Sequence, residues 1–150
     1  MIFNRTSADV ASAVNIIENK LKKSLSITEE ERQVLELGTI NIATLNRIYE
    51  AQHDIADKIK NMGYWGASAE PKVWDSSDVF FENDLLHVIS TNEQLKTAFF
   101  KKDDTPSKPK SEYTISTINA IEKTLSDLYD IIAEVEGLWS FCGEKECGEI

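Results

Sequence analysis

The chain has 150 residues, 41% of them hydrophobic and 28% charged, with a formal net charge of −10, which is enough length for one ordinary domain or two very small ones around a single core. A surface of that sign repels a phosphate backbone, and the two basic clusters, Lys20 with Lys22 and Lys23, and Lys101, Lys102, Lys108 and Lys110, lie among acids and read as solvated surface, so nucleic acid is not an expected partner. No run approaches the roughly 20 apolar residues of a membrane span, and the opening Met-Ile-Phe-Asn-Arg-Thr lacks the basic and apolar regions of a signal peptide, so folding in a cytosol is expected.

The first helix is expected from about Ser7 to about Lys23. Thr6 with Asp9 three residues later suits a helix start, Val10, Val14, Ile17 and Leu21 supply an apolar stripe, and Lys20, Lys22 and Lys23 suit the negative end of the helix dipole. A second start follows at Thr28 with Glu29, Glu30 and Glu31. Val34, Leu35 and Leu37 give that helix a short apolar face, and Gly38 is a natural stop.

Three later stretches share one pattern. Leu45, Ile48, Ile55, Ile59 and Met62 form the first stripe, Leu85, Val88, Leu95 and Phe99 the second, and Ile118, Ile121, Leu125, Leu128, Ile132 and Val135 the third. Steps of three and four residues put each set on one side of a helix. At one seam position the third stripe has Leu125 where the first two carry the amides Gln52 and Asn92. The three stretches read as copies of one helical unit. Thr44 is expected to cap the first, and Ser116 or Thr117 the third. Gly137 is expected to interrupt the third before Trp139 and Phe141.

Between the helical stretches, Tyr64 to Asp78 has no periodicity but holds Tyr64, Trp65 and Trp74, which are too large and apolar to stay in water without cause. They either pack over the helix ends or face a partner. Lys101 to Ser111, with Pro106 and Pro109, reads as a mobile linker. The ending from Phe141 to Ile150, with Cys142-Gly143 and Cys147-Gly148, suggests a small hairpin or hooked tail.

Few residues offer chemistry. Glu50 and His53 are spaced to share a metal on a bundle helix, but the matching second pair is missing and both fall on the polar side of the stripe. Cys142 and Cys147 supply only half of a closed zinc site, so a pair of reduced thiols is the simpler reading, with a disulfide the alternative in an oxidising medium. Phosphate loops, nucleophile elbows and zinc-protease motifs are absent from the sequence. An enzyme is therefore not expected, nor any cofactor or metal.

Three groups of residues carry a family resemblance: Phe3-Asn4-Arg5-Thr6 with Asp9-Val10; Leu45-Asn46-Arg47-Ile48 opening a helix that ends in Met62-Gly63-Tyr64; and the Phe141-Cys142-Gly143 and Cys147-Gly148-Glu149 ending. Ile118-Asn119-Ala120-Ile121-Glu122 continues the set. Together they resemble small helical structural modules of tailed phages and phage tail-like particles from Gram-positive hosts, in or beside baseplate and tail-fibre proteins. The resemblance implies a virion or particle component without catalytic residues, assembled with copies of itself or with other particle proteins.

The expected fold is therefore all-α, a bundle of four to five helices with residues 1–66 and 67–150 as two modules of one continuous unit. Contacts to another subunit are expected at Tyr64, Trp65, Trp74, Trp139, Phe141, Cys142 and Cys147, with core packing the competing role for Trp139. The alternative function is a cytosolic helical regulator of the antitoxin or anti-activator type, binding one protein partner.

Overall fold

The computed structural model describes residues 1–99 and 101–144, the stretch 139–144 by its backbone only. All regular structure among them is helical: α1 (Ser7–Asn19), α2 (Glu29–Gly38), α3 (Ile42–Asn61), α4 (Glu82–Ala98) and α5 (Ile115–Glu144), with a short 3-10 turn at Leu21–Lys23. The all-α bundle expected from the stripes is thus the observed fold. None of these helices is long and apolar enough to cross a membrane.

Local chemistry sets the helix starts. Thr6 and Asp9 form a capping box on α1, and Thr28 and Glu31 form one on α2. These reciprocal bonds satisfy amides that the first turn leaves without helical partners. Asn41, not Thr44, caps α3 by accepting from Thr44 N at 2.9 Å. Thr114, not Ser116 or Thr117, takes the corresponding role on α5, accepting from Thr117 N at 3.2 Å. In both cases the expected cap was placed too late, because the threonine inside the first turn is itself buried and looks like a boundary in sequence.

Gly137 does not interrupt α5. No positive φ is found there, and the helix continues past it. The expected C-terminal hairpin begins at residues that are helical up to Glu144, and its second cysteine, Cys147, lies outside the described residues.

α1 and α2 pack tightly on each other as a hairpin. A Cβ at Gly38 would overlap the carbonyl oxygen of Asp9 and the Cβ of Ala13, so the close approach depends on that glycine. The main core lies elsewhere, between α3, α4 and α5. Apart from Trp74 and Phe99, every residue of its buried apolar cluster comes from those three helices.

These three helices run in the same direction. Between α3 and α5, Arg47 meets Glu122 and Lys58 lies over the Tyr129 ring, so residue numbers rise together. Between α3 and α4, Gln52 meets Asn92, and the rings of Tyr64 and Phe99, just beyond the two helix ends, are 5.1 Å apart. Parallel neighbours require the chain to return along the bundle after each helix, which short loops cannot do.

Residues 62–81 and 99–114 make those returns, and both are fastened along their length. The first lays Tyr64 on Phe99, Ala69 O on His53 Nδ1 at 2.9 Å, and Trp74 on Asn46. The second joins Lys102 Nζ to Asp130 Oδ2 at 2.9 Å, Thr105 Oγ1 to Asp127 Oδ2 at 3.1 Å, and Lys110 O to Thr117 Oγ1 at 3.3 Å. The stretch from Lys101 to Ser111 is therefore an anchored strap rather than the mobile linker its composition suggests.

Candidate functional site

Counted from the caps Asn41, Phe81 and Thr114, the residues Gln52, Asn92 and Leu125 fall at the same depth in α3, α4 and α5. Two of them meet in the buried interior. Gln52 Nε2 donates to Asn92 Oδ1 at 2.7 Å and to Val88 O at 2.8 Å, while Asn92 Nδ2 donates to Ile121 O at 3.1 Å. One amide pair thus touches all three helices, and Leu125 fills the apolar remainder.

A second set of polar residues fastens extended backbone to helix. Asn46 Nδ2 donates to Trp74 O at 3.0 Å, and Trp74 N donates back to Asn46 Oδ1 at 2.6 Å. The same reciprocal pair joins Asn119 and Arg5, with Nδ2 to O at 2.8 Å and N to Oδ1 at 3.3 Å. Asn46 and Asn119 stand equally far from their caps. One helical step later, Tyr49 meets the Trp74 ring edge-on at 5.8 Å, and Glu122 binds the Arg5 guanidinium. α4 has Leu86 and Ile89 at these two places and forms no such clamp.

Glu122 is fully buried and shared. Besides Arg5 it accepts from Arg47 Nε at 2.7 Å, and Arg47 Nη1 reaches Glu36 at 3.2 Å. This chain of charges ties the N-terminal segment and α2 to the core. A buried carboxylate between two guanidinium groups offsets part of their desolvation, and removing it leaves the buried Arg5 without a charge partner, while the part-exposed Arg47 keeps Glu36. In sequence Glu122 appears only within the Ile118-Asn119-Ala120-Ile121-Glu122 run of the resemblance, and its burial beside Ile121 is not legible there.

The expected partner residues have different placements. Trp65 is 75% exposed, Trp74 is 3% exposed and packs between Tyr49 and Phe80, and Tyr64 leans on Phe99. The side chains of Trp139, Phe141 and Cys142, and all of Cys147, lie outside what is described. Trp65 beside Gly66 borders a depression of about 400 Å³ with Ser90, Glu93, Gln94, Thr97, Ala98 and Lys108.

Glu50 and His53 border another depression, of about 370 Å³, with Asn46, Pro71, Lys72 and Val73. His53 is occupied by Ala69 O through Nδ1 and lies 3.5 Å from Asp57 through Nε2. No group of three or more His, Cys, Asp or Glu side chains suited to a metal gathers among the described residues. Burial, reinforced by the Asp84 carboxylate, pushes the Tyr49 phenol up to about 12. Burial and then the Asp54 carboxylate likewise raise Tyr129.

The α1–α2 hairpin presents a different kind of surface. Its buried residues are Ala13 and Gly38, while Val14, Leu21 and Leu25 remain 45%, 43% and 54% exposed. Ile17, Leu21 and Leu35 border a shallow depression on one side, and Val10, Ile40 and Ile115 border one on the other. Comparison of the chain with family models, with curated proteins and with solved structures finds no match.

Proposed function

We propose that the chain is a non-enzymatic structural subunit of a phage tail or phage tail-like particle, placed in the baseplate or fibre-attachment region. The observation that carries this reading is the α1–α2 hairpin, which is strapped to a well-packed three-helix core yet leaves Val14, Leu21 and Leu25 about half exposed. Apolar side chains grouped on a small helical element gain stability when a neighbour covers them. The core supplies the rigidity an assembly subunit needs. The hairpin supplies the contact.

A second support is the placement of the residues that carry the resemblance. Arg5, Asn46, Arg47, Asn119 and Glu122 are distant in sequence but form the two clamps and the shared ion pair. They fasten straps to helices, a structural task that is compatible with a particle module.

The test is co-sedimentation of full-length tagged chain with tail particles. Binding that falls when Val14→Asp and Leu21→Asp are introduced, with helical content kept, supports the assembly role. Capture of a single host enzyme and no particle protein would instead support the regulator alternative.

A further inference from the structure

The exposed side of α4 differs from the charged surface typical of the rest of the chain. Leu86, Ser90, Gln94 and Thr97 are all exposed and uncharged, in a protein whose net charge is −10. Beside them stands the Trp65 indole, held in the turn that follows α3. Gly63 and Gly66 have φ of 87° and 118° there, a conformation other residues adopt at a cost. Lys60 Nζ lies 5.9 Å from the indole centroid, and Lys108 reaches the same depression from the second strap.

We propose that this depression binds a hexopyranose ring of a glycan. Its volume of about 400 Å³ falls within the range of small-molecule sites. A pyranose has an apolar C–H side and a rim of hydroxyl groups. The first matches the face of the exposed indole that Lys60 does not cover, and the second matches hydroxyl and amide donors and acceptors. Among the described residues the Ser90 hydroxyl and the Gln94 amide have no side-chain hydrogen bond within the protein, so both are available. The Gln94 amide offers both donor and acceptor. Lys108 adds a donor.

The remaining groups are already engaged. Glu93 is held by Lys96 at 2.6 Å and presents little free charge, and Thr97 Oγ1 donates to Glu93 O at 2.7 Å while keeping its lone pairs for a ligand. A protein partner anchored by Trp65 would seek an apolar pocket around the ring. Here the depression beside the ring is lined mainly by hydroxyl and amide groups, with Lys108 and the Lys96-tied Glu93 at its charged positions. This inference goes beyond the assembly role and does not depend on it.

Saturation-transfer NMR on the full chain with glucose, galactose, N-acetylglucosamine and rhamnose tests it. At least one sugar receives saturation, and its affinity falls about tenfold or more in Trp65→Ala and measurably in Gln94→Ala. Both positions are exposed, so far-UV circular dichroism remains unchanged in the variants. Absence of transfer to all four sugars, or transfer that persists undiminished in both variants, overturns the proposal.

Discussion

Gln52 on α3 donates to Asn92 on α4 at 2.7 Å, and Asn92 passes a hydrogen bond on to the Ile121 carbonyl of α5. Three parallel helices with similar apolar stripes can slide by a turn and still bury most of their side chains. A buried amide pair resists this, because any other register leaves it facing hydrocarbon. The pair thus fixes the level at which the helices meet.

Replacing Asn92 alone by Leu leaves Gln52 with Val88 O as its one buried partner and costs about 1–3 kcal/mol in urea unfolding. Replacing Gln52 and Asn92 together by Leu recovers much of that loss, since both polar groups leave the core. The double variant is expected to show broader NMR lines from competing registers. A double variant as unstable as the sum of the singles contradicts this role.

The shared carboxylate gives an ordered series. Glu122→Ala strands the Arg5 guanidinium in the interior, while Arg47 keeps Glu36, and costs about 3–5 kcal/mol. Arg5→Met leaves Glu122 paired with Arg47 and costs less, about 1.5–3 kcal/mol. The Asn119 clamp on the Arg5 backbone remains, so hydrogen-exchange protection of Arg5 N is kept. Equal losses for the two variants would mean the charges are not shared as described.

Asn46→Ala removes both halves of the clamp on Trp74. A loss of about 1–2 kcal/mol follows. Tryptophan fluorescence moves to longer wavelength as water reaches an indole that is otherwise buried. Asn46→Asp keeps the acceptor for Trp74 N but cannot donate to Trp74 O, so its effect falls between wild type and Ala.

Two glycines have opposite expectations. Gly137→Ala stabilises by about 0.5–1 kcal/mol, because the glycine lies in a helix with open space at its Cβ position. Gly38→Ala destabilises and loosens the α1–α2 hairpin, since its methyl group meets Asp9 O and Ala13. Thermal unfolding of the two variants reads both signs.

Stability should fall at both ends of the pH scale. Burial pushes Tyr49 from its ordinary 10.0 up to about 12. In that window the unfolded chain has released the phenol proton and the folded chain has kept it, so stability is lost as pH rises through it. On the acid side, hydrogen bonds from Thr6 and Ser77 hold Asp9 and Asp75 below their ordinary value, as do Lys20 for Glu31 and Lys123 for Asp104. Their contribution is present above the ordinary carboxylate values and is lost as pH falls through the folded ones. Urea unfolding across pH, with tyrosinate absorbance for the alkaline limb, checks both.

The helices and their core were legible because steps of three and four residues carry the information locally. Gln52 and Asn92 were also visible, as amides breaking an apolar stripe. The parallel course of α3, α4 and α5 was not, since direction is set by how the returning straps are fastened. Asn46 to Trp74 and Asn119 to Arg5 are pairings across long sequence distances, and each asparagine looks like ordinary helix surface. Lys101 to Ser111 reads as mobile in sequence because its prolines and charges describe composition, whereas Asp127, Asp130 and Thr117 on α5 supply its anchors. Of the aromatic residues, size alone could not separate exposed Trp65 from buried Trp74.

The most direct test of the assembly role is quantitative mass spectrometry of tail particles purified by density gradient from the cells that make this chain. A subunit of the particle co-migrates with tail proteins at a fixed ratio through successive gradients. A chain found only in the free-protein fractions, with none in the particle band, would contradict the role proposed for it.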